Sequence, residues 1–236
     1  MKRSQHGLPI ATVAALGAVV LLTPAARRVP EPSVPLSIAK IYWEYNASAN
    51  DLGVHVSLDG EDWNKLKITK PNGKRIFQVE GSGPYHDLGM TELFFEGAEP
   101  SLDEFPLADL LALFPEGQYE MEGLTVDGQE IEGEALFSHA IPDGPDVSSQ
   151  IGTNDFLRIL WTPVTAPPPG FPIKPIQIVG YQVIVDPFQV TLPASATSVT
   201  VPPEFVAALS PGEHDFEVLA IDVSGNQTIT EGSFIK

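Results

Sequence analysis

Cysteine is missing from the chain altogether. Without it there are no disulfides, no thiolate metal ligands, no cysteine nucleophile and no lipid-modified N-terminal cysteine. Basic residues are scarce: 13 Lys and Arg stand against 31 Asp and Glu, a formal net charge of −18. Nucleic acid and anionic membrane surfaces both need a basic face, so neither is expected as a partner. Long apolar runs are also lacking. The longest, Leu8 to Leu22 with Pro9 and Thr12 inside it, falls short of the about 20 residues that span a bilayer. Motifs for nucleophilic chemistry are missing too. There is no Gly-x-Ser-x-Gly, no histidine pair at the spacing of a helical zinc site and no glycine-rich phosphate loop between strand and helix. Ser37 and Lys40 have Ser-x-x-Lys spacing, but they enter a strand where such a pair would open a helix. Paired carboxylates are plentiful, yet a glycosidase needs two of them facing across a cleft. No enzymatic activity is expected.

What remains is a chain of 236 residues, 43% of them hydrophobic, with 23 Pro and 20 Gly. That is enough apolar material for one large or two ordinary cores, joined by many loops. Lys2 and Arg3, the apolar run, and then Thr23, Pro24, Ala25 and Ala26 follow the plan of a secretory signal peptide over residues 1–26. Arg27 and Arg28 leave an uncleaved membrane anchor as the alternative. Residues 27–35 read as a Pro-rich extended spacer. The expected location is therefore outside the cytoplasm: periplasmic, on the cell surface or secreted. Inside the chain the charge is lopsided. Between Ile76 and Leu157 there are 18 Asp and Glu and no Lys or Arg. Such a face keeps an exported protein soluble, or concentrates cations.

Residues 36–141 read as an acidic, β-rich unit. Ile41, Trp43 and Tyr45 alternate with Tyr42, Glu44 and Asn46, the period of a half-buried strand. Gly53 to Leu58 is a second strand. Leu66 and Ile68 lead through Lys70-Pro-Asn-Gly73 into Ile76–Val79, a hairpin on a type I turn. Glu92–Glu96 is a short strand. Asp127-Gly128 has the composition of a type I′ hairpin turn. One helix interrupts the strands: Leu107, Leu110, Leu111 and Phe114 form one apolar stripe, with Pro106 as its first residue and Pro115 beyond its end. It is expected to close an open end of a sandwich.

Residues 142–236 carry a clearer pattern. Phe156–Trp161 is a strand ending in tryptophan. A loop with six prolines follows to Pro175, then strands at Ile178–Val185, Ser198–Val201, Phe216–Asp222 and Gln227–Ile235. Trp161, Gly180-Tyr181 with Val183, Leu209-x-Pro-Gly212, Ala220 and Asp222-x-x-Gly-Asn226 stand in the order of a fibronectin type III module. This unit resembles that family, which implies an immunoglobulin-like β-sandwich and a binding or spacer role. Its corner-tyrosine position holds His214 or Phe216, and the loop after Trp161 is long. No Arg-Gly-Asp is present, so integrin binding is not implied. In the first unit, Thr91-Glu-Leu-Phe-Phe-Glu96, Glu99-Pro100 and Phe114-Pro-Glu-Gly-Gln-Tyr119 are similar to exported bacterial proteins without a described role, which implies no activity.

The expected fold is mainly β: two immunoglobulin-like β-sandwich units, the first with one short helix. No organic cofactor is implied. The one ion to consider is calcium, which takes six to eight oxygen ligands. Glu44, Asn46, Asn50 and Asp51 cluster around an Asn/Asp loop, with Glu92 or Glu96 as completing carboxylates. The expected role is non-enzymatic binding or adhesion to a protein or polysaccharide at the cell envelope. The alternative is a polysaccharide-binding accessory using an exposed row of Tyr42, Trp63 and Tyr85.

Overall fold

Two-residue alternation of apolar and polar side chains dictates most of the strands. In the computed structural model, which describes residues 32–236, the first sandwich contains β1 Val34–Pro35, β2 Ile38–Asn46, β3 Asp51–Thr69, β4 Arg75–Glu80 and β5 Met90–Glu96. A single helical turn, α1 Pro84–Asp87, precedes β5; helix α2 Leu107–Leu113 follows it, and β6 Gly117–Thr125 and β7 Glu130–Phe137 complete the sandwich. The second sandwich contains β8 Val147–Ile151, β9 Leu157–Trp161, β10 Ile178–Val185, β11 Phe188–Pro193, β12 Ser198–Val201, the short helix α3 Pro203–Ala208, β13 Glu213–Asp222 and β14 Gln227–Ile235. The expected signal peptide over residues 1–26 lies outside the described residues, as does the spacer up to residue 31.

The long strand β3 serves two layers. Its first half pairs antiparallel with β2, its second half with β6, and β5 and β4 take its opposite edge. Register shifts around Trp63 let the strand bend between these partners. The inward residues Ile41, Trp43, Leu52, Val56, Leu66 and Ile68 then meet Tyr119, Met121, Ile131 and Phe137 in one core. Helix α2 buries Leu110 there, with Phe114 edge-on to Trp43 at 5.8 Å between ring centroids. Pro106 caps α2 from outside instead of being its first residue.

Two expectations are corrected. The end of the spacer is part of the sheet: Val34 and Pro35 pair in parallel with Ile131 and Glu132. Proline is tolerated because β1 is an edge strand. The Asp127-Gly128 turn is not type I′, which needs positive φ at both central residues; only Gly128 has it, at 81°. Gly128 N–H donates to Thr125 O, and Thr125 N–H to Gln129 O, at 3.0 and 2.9 Å. That is a type I turn with a left-handed glycine after it. The turns Lys70–Lys74 and Asp222–Asn226 repeat the same two hydrogen bonds, with Gly73 and Gly225 at the left-handed position.

In the second sandwich β8, β9 and β12 form one sheet, and β14, β13, β10 and β11 the facing one. Three strands over four, in this order, is a fibronectin type III-like arrangement. Trp161 is buried between the layers, 5.5 Å from the Tyr181 ring. The Tyr181 hydroxyl accepts the Val164 N–H at 2.9 Å, which ties the proline-rich loop to the core. His214 stacks on Phe234, while Phe216 is buried.

The two sandwiches share a sheet. Strand β14 pairs in parallel with β2, Gln227 to Glu44 through Ile229 to Asn46. Beside this pairing Asn226 is fully buried. Its Oδ1 accepts the Trp43 N–H at 2.8 Å, and its Nδ2 donates to Ser138 O and Ala140 O at 2.8 and 2.9 Å. Thr228 Oγ1 donates to Pro142 O at 2.5 Å. Phe171, from the proline-rich loop, packs on Tyr45 at 4.9 Å, and Lys174 pairs with Glu116 at 2.7 Å.

The seam can be tested by mutation, by fragmentation and by pH. Asn226→Ala strands three backbone groups, two of them buried, and should cost the full chain about 2–4 kcal/mol by denaturant unfolding. A fragment of residues 142–236 contains the whole second core and should melt cooperatively; a fragment without a thermal transition would refute that. In the fragment the partners of Asn226 are gone, so the same substitution should be nearly neutral. The third concerns pH. Partial burial pushes the Glu116 carboxyl up, but hydrogen bonds from His139 N–H and Lys174 outweigh it and hold it below its ordinary value. A depressed carboxylate stabilises above its unfolded value, and the gain is lost as pH falls through its folded one. Glu116→Gln should therefore cost less than about 1 kcal/mol of stability at pH 7 for this exposed pair, read as a small fall in melting temperature. The difference from the parent should vanish on acidification below the usual carboxylate range.

Candidate functional site

Strand parity assembles one unusual group of side chains. In β2 the inward residues are Ile41, Trp43 and Tyr45, so Tyr42 and Glu44 point to the opposite face. In β3 Leu52, Val54, Val56 and Leu58 enter the core, which puts Gly53, His55 and Ser57 on the same face as Glu44. Strand β5 adds Glu92, Phe94 and Glu96 to that face. The register sets Tyr42, His55 and Glu96 in one line across three strands.

Glu99 arrives by a local irregularity. Beyond β5 the chain still follows β3: Gly97 N–H donates to Val54 O, and Leu52 N–H to Pro100 O. Ala98 and Glu99 thus stand opposite Gly53 alone, a β-bulge that re-aims a side chain. Glu99 lies across Gly53 to reach His55. A Cβ on Gly53 would meet Glu99 Cγ at 2.4 Å and its Oε1 at 2.6 Å. Only glycine leaves that path open.

The result is a histidine ringed by carboxylates. His55 Nε2 lies 3.0 Å from Glu99 Oε1, 3.7 Å from Glu44 Oε1 and 3.9 Å from Glu96 Oε2. The His55 side chain is 4% exposed and that of Glu44 15%. The Tyr42 ring, 5.3 Å away, and the edge-on Phe94 ring, 5.9 Å away, cover the imidazole. Glu44 Oε2 accepts from Gln227 Nε2, the first residue of β14. Burial, above all, pushes the Glu44 carboxyl up; Glu99 and Glu96 add to this, while His55 and the Gln227 hydrogen bond oppose it. Burial and the neighbouring Glu44 and Glu96 charges raise the Tyr42 hydroxyl to about 12, so it stays protonated. Among the described residues no Lys or Arg pairs with any of the three carboxylates.

The six residues expected to hold calcium are not one site. Glu44 and Glu96 do come together, at His55. Asn46 turns away: its Oδ1 caps the N–H groups of Ser48 and Ala49, and its Nδ2 donates to Glu231. Asn50, in the left-handed region at φ 56°, accepts from the Tyr45 hydroxyl and faces Asp103. Asp51 pairs with Asn46 at the hairpin end, whereas Glu92 stands opposite Asp59. Eight residues of strand at about 3.3 Å each separate those two positions, far beyond the reach of one ion.

His55 and Glu99 were legible only in part. His55 has the outward parity of its strand, but that parity names neither β5 as its neighbour nor the bulge that brings Glu99. Elsewhere, Ser37 Oγ donates to Asp59 at 2.8 Å, not toward Lys40. Of Tyr42, Trp63 and Tyr85, Trp63 is fully buried, so they form no exposed row.

No protein-family profile matches the chain, and no curated protein matches it in sequence. The resemblance of the first unit to exported bacterial proteins thus finds no counterpart. Solved structures are similar only distantly. The Clostridium perfringens spore cortex lytic enzyme SleM is 19% identical over 40% of this chain and 28% of its own, with a TM-score of 0.33. The FN1-FN3 domains of chicken CNTN1 are 13% identical over 88% of this chain and 68% of theirs, TM-score 0.34. A bacterial ice-binding adhesin is 17% identical over 87% and 65%, TM-score 0.29. The strand order described above, not these likenesses, defines the fold.

Proposed function

We propose that the chain is a non-enzymatic binding protein that works outside the cytoplasm and engages a protein partner at the cell surface. The observation that carries this reading is a groove of about 590 Å³ along the seam between the sandwiches. Its walls include Lys40, Tyr42, Glu134 and Ser224, and its rim carries the exposed apolar side chains of Leu136, Val179 and Val223. Seams between modules are common ligand sites, and apolar anchors inside a polar setting suit a protein surface. A polysaccharide is the weaker reading, because Trp63 is buried. The charged, apolar and small-residue order of residues 1–26 and the acidic middle of the chain support export. The non-catalytic part of the reading rests on the missing sequence motifs for nucleophilic chemistry. Among the described residues the ring nitrogens of His55 and His86 bond carboxylates, and those of His139 and His214 bond backbone carbonyls. No hydroxyl nucleophile is joined to any of them.

The test uses the tagged full chain in cells of its source. Fractionation should find it outside the cytoplasm, with a mature N-terminus after Ala25 or Ala26 by mass spectrometry. Purified protein should bind those cells in flow cytometry, and Leu136→Glu with Val223→Glu should weaken binding at least about tenfold. A cytoplasmic chain that keeps Met1, or binding untouched by the double variant, would overturn the reading.

A further inference from the structure

Three carboxylates converge on one imidazole nitrogen, and that nitrogen has one hydrogen to give. A carboxylate only accepts, so the 3.0 Å contact to Glu99 takes the Nε2 hydrogen. Glu44 Oε1 at 3.7 Å and Glu96 Oε2 at 3.9 Å face the same point without a donor. Glu44 is also largely shielded from water, which leaves its charge poorly compensated. The space between these groups therefore favours a compact positive charge in place of the hydrogen.

We propose that Glu44, His55 and Glu99 bind one divalent transition-metal ion of the zinc class, with Glu96 or a water as the fourth ligand. The ligand atoms of the first three lie within 4.8 Å of one another. Zinc binds imidazole nitrogen and carboxylate oxygen at about 2.0–2.2 Å, which in a tetrahedron separates ligand atoms by roughly 3.3–3.5 Å. The present 3.0 and 3.7 Å from Nε2 lie on either side of that spacing, so small side-chain shifts close the site. The ion takes the place of the hydrogen on Nε2; a ring protonated on both nitrogens releases that proton to solvent, a neutral one shifts to the other tautomer, and either way the bound ring carries its one hydrogen on Nδ1. Calcium is disfavoured because it seeks six to eight oxygens, whereas a buried nitrogen heads this set.

The supporting groups fit an ion site. Gln227 holds the outer oxygen of Glu44, a partner of the kind that orients a ligating carboxylate. Gly53 leaves room for Glu99, and the bulge at Ala98–Glu99 aims it. A bound ion would tie β2, β3 and the segment after β5 together at a point where β14 also touches. This inference stands apart from the surface-binding reading, since neither needs the other.

The test is calorimetric titration of the untagged, chelator-treated full chain with Zn²⁺, with Ca²⁺ as the comparison and Co²⁺ as a spectroscopic probe. One Zn²⁺ per chain is expected, with a raised melting temperature by mass action and a Co²⁺ visible band typical of four ligands. Gly53→Ala keeps every ligand but pushes Glu99 aside; it and Glu99→Gln should weaken Zn²⁺ binding by about 10–100-fold. Glu99→Gln changes only the end of a partly exposed side chain, so its metal-free melt should stay near that of the parent, whereas Gly53→Ala also crowds Glu99 Cγ and is read against its own metal-free melt. They keep the test readable where His55→Gln fails to fold. Zn²⁺ binding below one per chain, binding unchanged in Gly53→Ala and Glu99→Gln, or Ca²⁺ binding as tightly as Zn²⁺ would each overturn the proposal.

Discussion

Asn226 sits in the turn between β13 and β14, where its side-chain amide is closed off from water and surrounded by the first sandwich. Both donors and the oxygen are matched, by two carbonyls of residues 138–140 and by the Trp43 N–H. A buried amide left unpaired costs more than a paired one contributes, so this geometry tolerates little drift. Much else depends on it. Holding the Trp43 backbone fixes the height of β2 against β14, and with it the parallel register of Gln227 on Glu44. Asn226 closes the turn and Gln227 opens β14, and their side chains take different partners: Trp43 and residues 138–140 for one, Glu44 for the other. The first staples the two modules; the second supports the carboxylate beside His55.

The His55 face shows how a sheet can hold like charges together. Each strand brings its acid by ordinary alternation, and the cross-strand spacing sets the separations. Glu99 is the exception, because it comes from a bulge and crosses a glycine. Remove the bulge and its side chain would follow the strand's own parity. The aromatic cover from Tyr42 and Phe94 lowers the access of water to the group, which strengthens every charge interaction inside it.

Much of the strand layout could be read from the chain. Ile41, Trp43 and Tyr45 alternate with polar residues and all three are buried. The strands Ile178–Val185, Ser198–Val201 and Gln227–Ile235 have the bounds their patterns imply. The glycine turns were placed correctly, although the Asp127-Gly128 turn has a longer form than its two residues imply. Strand β8 is weakly patterned and largely exposed, whereas β11 alternates strictly, with Phe188, Val190 and Leu192 against the core, and was legible in the chain though not read from it. Helix α3 is too short for a helical period to declare itself.

The sequence by itself determined the sheet-rich class, the inward and outward parity of each strong strand, the acidic surface and the place of Trp161 in a core. These are local properties: each is decided by residues within a few positions of one another. Only the tertiary structure decided that β14 would pair with β2, that Asn226 would cross the seam, and that Glu44, His55, Glu96 and Glu99 would meet. The expected calcium set followed proximity along the chain around residues 44–51, whereas the assembled group joins residues 44 and 55 to residues 96 and 99 through strand register. Register depends on the summed packing of both layers, and a shift of one residue would turn every one of these side chains to the other face.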